Sequence, residues 1–95
     1  MGKKTVVFNE SGLDKLPNDK PAVYKIKTDG GNTNYVGVAK RGRVQERLQE
    51  HLPGSKDYIP GSKVEIEQID SISKAHQKES NIIAKTKPKY NRQGK

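Results

Sequence analysis

In "KVEIEQI" (Lys63–Ile69), Val64 and Ile66 alternate with Glu65 and Glu67, the two-residue period of a strand with one dry and one solvated face. Two further β-rich runs, "AVYKIKT" (Ala22–Thr28) and "TNYVGVA" (Thr33–Ala39), flank Asp29-Gly30-Gly31-Asn32, which punctuates them as a hairpin. An even connection puts Tyr24 and Tyr35 on one face, and an odd one separates them. Gly37, two residues beyond Tyr35, removes a side chain where a substrate or helix can approach. The pattern changes to helical spacing after that. Val44, Leu48 and Leu52 form an apolar row in a helix predicted over Gly42–His51, which stops before Pro53-Gly54. A second helix is predicted over Ser73–Lys85, ending near Pro88. A short turn of helix between Asn9 and Pro21 has Ser11 as its candidate cap.

The resulting order is β-β-α-β-α. Three strands cannot cover themselves, so the helices must pack on them. The fold class expected is α/β in the broad sense: an α+β sandwich with a three-stranded, largely antiparallel sheet flanked by helices.

Composition narrows the function. Over 95 residues, 19 Lys and Arg against 11 Asp and Glu leave a net charge of +8, a field that favours polyanions, nucleic acid first. The absence of cysteine excludes disulfides and thiolate metal sites. No apolar run has the length of a membrane span, and Val6-Val7-Phe8 is too short for a signal-peptide core, so a soluble, cytoplasmic protein is expected.

Polar residues interrupt both apolar helix faces. Glu79 lies within the stripe of Ala75, Ile82 and Ile83, where a carboxylate needs a partner: a nearby lysine, or a hard cation such as Mg²⁺. On the first helix, Arg43, Arg47 and His51 recur every four residues beside the buried row, while Glu46 and Glu50 take other positions. Either this is a solvated cationic face, or the arginine forks address phosphate oxygens.

Taken in order, these residues resemble the signature of GIY-YIG endonucleases. "AVY" (Ala22-Val23-Tyr24) and "YVG" (Tyr35-Val36-Gly37) stand ten residues apart. They are followed by "ERLQEH" with Arg47 and His51, "KES" with Glu79, and "PKYN" ending at Asn91. The resemblance runs from 21 to 93, with 1–20 as an N-terminal extension of a single domain spanning 1–95. It implies hydrolysis of DNA phosphodiester bonds with one Mg²⁺ or Mn²⁺ on Glu79. Arg47 would stabilise the charge at phosphorus. Tyr35, alone or paired with Tyr24, would position or deprotonate the attacking water. His51 would assist proton transfer, and Asn91 would brace the site. Arg43 is the alternative catalytic arginine; Leu48 after Arg47 and His51 one turn later favour Arg47.

Ala22, Val23 and Val36 depart mildly from the signature, and Val38 stands where some relatives carry a lysine, leaving Lys40 or His51 to substitute. Lys40, Arg41, Arg43, Lys87, Lys89 and Arg92 would contact phosphates, which position DNA without reading it. The expected partner is therefore DNA, with no membrane and with target choice left to an attached domain or a partner protein. Oligomeric state is not legible. The competing function is a non-catalytic nucleic-acid-binding module of the same fold, although such a module has no use for Glu79. An RNA-binding role is disfavoured, because one Phe and four Tyr are too few for a stacking surface.

Overall fold

The computed structural model describes residues 3–52, 54–55 and 58–88. The chain runs β1 (Lys3–Val7), α1 (Glu10–Leu13), β2 (Ala22–Lys27), β3 (Thr33–Ala39), α2 (Val44–Gln49), β4 (Lys63–Gln68) and α3 (Ile72–Thr86). The four strands form one antiparallel sheet in the order β1-β4-β2-β3. The sheet therefore has a strand more than the pattern predicted. In "KKTVV" two lysines and a threonine obscure the apolar alternation, and β1 is an edge strand that exposes most of its residues.

The hairpin register pairs Tyr24 with Gly37 and Ile26 with Tyr35, so both tyrosines share a face. On that face Tyr24, Ile26, Val64 and Ile66 pack with Leu13 of α1 and with Val44 and Leu48 of α2. Burying each of these aliphatic side chains contributes about 1.5–3 kcal/mol. The opposite face carries Val23 and Val36, covered by Ala75, Ile82 and Ile83 of α3. Glu65 and Glu67, expected in solvent, are only partly exposed: Glu65 pairs with Lys25 and Lys27, and Glu67 with Lys78 of α3.

The caps show how local sequence sets the helix ends. Asn9 caps α1, its side chain accepting from the Gly12 N–H at 2.8 Å, in place of the expected Ser11, which lies inside the helix. Ser71 caps α3, two residues before the predicted start at Ser73, and Lys87 ends it in the left-handed conformation at φ 47° just before Pro88. No helix among the described residues is long and apolar enough to cross a membrane.

Candidate active site

Tyr24 is the centre on which the predicted residues converge. It is fully buried, and its hydroxyl lies 3.0 Å from His51 Nε2. Gly37 makes room for it: a Cβ built there would lie 2.5 Å from both the Tyr24 hydroxyl and its ring carbon Cζ. The missing side chain thus accommodates the cross-strand tyrosine, where an approaching substrate or helix was expected. Tyr35, partly exposed, places its ring centroid 6.1 Å from that of Tyr24 and 4.9 Å from that of His51.

The arginine row does not survive as one helical edge. α2 covers only Val44–Gln49, so Arg43 is its N-cap and His51 lies beyond its C-cap. Past the helix, the chain turns His51 inward to 3% exposure. Arg43 remains exposed and paired with Glu46, and Arg47 donates to Glu50 Oε1 at 2.6 Å. Those glutamates, expected elsewhere on the helix, neutralise the arginines one turn away. Arg47 also lies against the Tyr24 hydroxyl and interacts with it.

The electrostatics follow from this packing. Burial pushes the Tyr24 phenol well above its ordinary range, and Tyr35 and Glu79 add to that, while Arg47 opposes it. Arg47 loses some stabilisation of its charge through burial, but Tyr24 and Glu50 more than offset this and raise its pKa.

Glu79 sits on α3, partly buried as its place in the apolar stripe requires, and within electrostatic reach of Tyr24. Among the described residues the side chain recorded in contact with its carboxylate is His76, with Nδ1 to Oε1 at 3.5 Å, and not a lysine. No group of three or more His, Cys, Asp and Glu among the described residues could hold a metal together. A single carboxylate fits Mg²⁺, which keeps several waters and takes one or two protein carboxylates. The donor set is compatible with the ion.

α2 and α3 lie on opposite faces of the sheet, yet they meet at its open β3 edge. There Val38, Ala39, Lys40, Arg43 and Arg47 face Ile72 and His76 across a groove of about 240 Å³. A larger cavity of about 680 Å³ lies elsewhere, and its Glu10 and Asp14 make it a poor host for a polyanion. Arg41 and Lys87 are exposed outside the groove lining. Lys89, Asn91 and Arg92 lie outside the described residues. His76 is the groove residue that the sequence reading missed; its i, i+3 spacing before Glu79 was the available signal.

No family model matches the chain. Individual proteins do. UvrABC system protein C of Symbiobacterium thermophilum is 37% identical over 90 residues, covering 86% of this chain and 14% of that protein. The same protein of Clostridium acetobutylicum is 36% identical over 90 residues, again covering 86% and 14%. The chain therefore spans 14% of the length of these curated relatives. The GIY-YIG N-terminal endonuclease domain of UvrC from Thermotoga maritima, solved bound to its catalytic magnesium, matches with a TM-score of 0.63 and 28% identity, covering 83% of this chain and 94% of that domain. The motif order, the architecture and these matches agree, and the chain belongs to the GIY-YIG family.

Proposed function

We propose that this chain is a divalent-cation-dependent endonuclease that hydrolyses DNA phosphodiesters with little sequence preference of its own. The observation that carries the reading is the convergence of Arg47, His51 and Gly37 on one buried tyrosine hydroxyl, with Glu79 within electrostatic reach of it. A fold that only bound DNA would gain nothing from a carboxylate there, since it repels phosphate.

Each side chain has a distinct task. Lys40 and Arg43 receive the phosphate backbone at the groove, and Arg41 and Lys87 extend the basic surface, with Lys89 and Arg92 continuing it in the sequence. Arg47 directs its fork at the non-bridging oxygens, where charge grows in the transition state. Tyr24 is a positioning residue: it is out of solvent and its proton is held tightly, so it fixes Arg47 and His51 and does not act as a base. Tyr35, its ring tilted 54° against that of His51 and partly exposed, is the phenol placed to orient the attacking water. His51 assists proton transfer behind it; bracing of the site by Asn91 is the role the family resemblance implies. Glu79 would hold a divalent cation, Mg²⁺ or Mn²⁺, which would supply neutralisation of the charge that develops in phosphodiester hydrolysis. Target choice would come from an attached domain or a partner protein, and DNA as substrate agrees with a cytoplasmic location.

The test is nicking of supercoiled plasmid by purified protein with Mg²⁺ or Mn²⁺, beside EDTA and a folded Glu79→Ala protein. Cleavage lost in both controls supports the proposal. Undiminished cleavage by Glu79→Ala overturns the assigned site. DNA binding without cleavage by the wild type, under all ion conditions, replaces the nuclease with a binding module.

A further inference from the structure

His76 and Glu79 form an i, i+3 pair on α3, with Nδ1 and Oε1 3.5 Å apart. His76 is largely exposed and lines the groove beside Arg43 and Arg47. As an ion pair alone, two groups in such contact with water contribute little to stability. As a chelate, they have a clear chemistry.

Two donors at first-row metal–ligand distances from one ion sit roughly 3.0–3.4 Å apart, so the observed separation needs only a small side-chain adjustment. Carboxylate and imidazole three residues apart on a helix recur as paired ligands, because the spacing stacks both donors over one turn. The neighbouring cations are already engaged: Arg43 with Glu46, and Arg47 with Glu50 and Tyr24. Those contacts hold the guanidinium groups on their own side of the groove. His76 faces them across the groove from α3, with the Glu79 carboxylate in contact with it one turn further along the same helix.

We propose that His76 is a second protein ligand of the cation that Glu79 holds, and that its nitrogen biases the site toward Mn²⁺ over Mg²⁺. The inference rests on the reading that Glu79 holds the ion. Mg²⁺ favours oxygen donors and surrenders its waters reluctantly, whereas imidazole suits later first-row metals. A carboxylate alone leaves the ion's identity to availability. A carboxylate plus an imidazole discriminates.

The experiment uses the full, untagged chain without DNA. Titration calorimetry measures Mg²⁺ and Mn²⁺ binding, and electron spin-echo spectroscopy of the Mn²⁺ protein detects directly bound nitrogen. The chain has two histidines, and His51 is buried against Tyr24, so a single variant assigns the signal. Wild type is expected to show nitrogen modulation and to bind Mn²⁺ about 10-fold or more tighter than Mg²⁺. His76→Ala, at an exposed position that leaves folding intact by circular dichroism, should lose the modulation and most of that preference while Mg²⁺ binding stays within about threefold. Modulation absent from the wild type, or surviving in His76→Ala, overturns the proposal. Glu79→Gln separates it from the reading beneath it. Loss of both ions in Glu79→Gln upholds the Glu79 site whatever His76 does. Unchanged binding of both ions removes the Glu79 site and the His76 ligand together.

Discussion

The Tyr24 hydroxyl and His51 Nε2 meet at 3.0 Å across 27 residues of sequence, inside the protein. That bond ties the turn after α2 to the sheet. Arg47 approaches the same oxygen, so one phenol organises two candidate site residues that do not share a helical face.

Tyr24→Phe should therefore cost both stability and activity. Removing the hydroxyl takes a buried hydrogen bond from His51, worth about 1–2 kcal/mol by urea unfolding. Nicking should fall about 100-fold or more, because Arg47 and His51 lose their common anchor. Full activity in a destabilised Tyr24→Phe protein would show that the hydroxyl is structural only.

Gly37→Ala tests the same contact from the opposite strand. The added methyl meets Tyr24 at 2.5 Å, and a buried ring between sheet and helix has little room to move. The expected cost is about 1–3 kcal/mol, with loss of nicking. Gly30→Ala is the control: its nearest neighbour would be Thr28 Oγ1 at 3.9 Å, so it should stay within about 0.5 kcal/mol of wild type. Equal stability of the two variants would remove the steric reading of Gly37.

Alkaline pH should destabilise the fold through Tyr24. Its folded pKa is raised above the ordinary value of 10.0, so its contribution is complete below pH 10 and is lost as pH rises beyond it. Over that range the unfolded phenol ionises while the folded one does not, which costs about 1.4 kcal/mol per pH unit. Urea melts between about pH 9 and 11 should show that slope in wild type and a shallower one in Tyr24→Phe. Parallel slopes would contradict the burial of the Tyr24 proton.

At the end of α3, Lys87 holds φ at 47°, a conformation that suits glycine and strains any residue with a Cβ. Lys87→Gly should stabilise the protein by about 0.5–1 kcal/mol in thermal or urea unfolding. The substitution also removes one of the cations proposed to meet phosphate, so DNA affinity should drop modestly while stability rises. A loss of stability would mean that the lysine side chain supports the cap by packing.

The hairpin, α3 and the core strand around Val64 and Ile66 were legible because their apolar spacing is strong and their turns carry Gly, Asn and Pro. β1 was not, because an edge strand with Lys3, Lys4 and Thr5 outward has no period to detect. For the candidate site, sequence order pointed to Tyr24, Tyr35, Arg47, His51 and Glu79, but not to how they are arranged. Helical periodicity put Arg43, Arg47 and His51 in one row; the short α2 and the Tyr24 bond broke it. The groove itself was invisible to any local pattern, since it forms where helices from opposite faces reach the β3 edge. His76 was passed over for the same reason: its meaning depends on facing α2.

The choice between Arg43 and Arg47 can be made by conservative substitution. Arg47 contacts Tyr24 and is partly buried, so its planar fork is held in place; Arg43 is an exposed N-cap residue paired with Glu46. Lysine keeps the charge but lacks the fork. Arg47→Lys should lower nicking about 100-fold, a loss of about 2.7 kcal/mol of transition-state stabilisation, with little change in DNA affinity. Arg43→Lys should change nicking by less than about threefold, while Arg43→Gln should weaken DNA binding and reduce its logarithmic salt slope by about 1. Single-turnover rates and binding at several salt concentrations measure both. The reverse ranking of the two lysine variants would give the catalytic role to Arg43 and make Arg47 a residue that supports the Tyr24 hydroxyl.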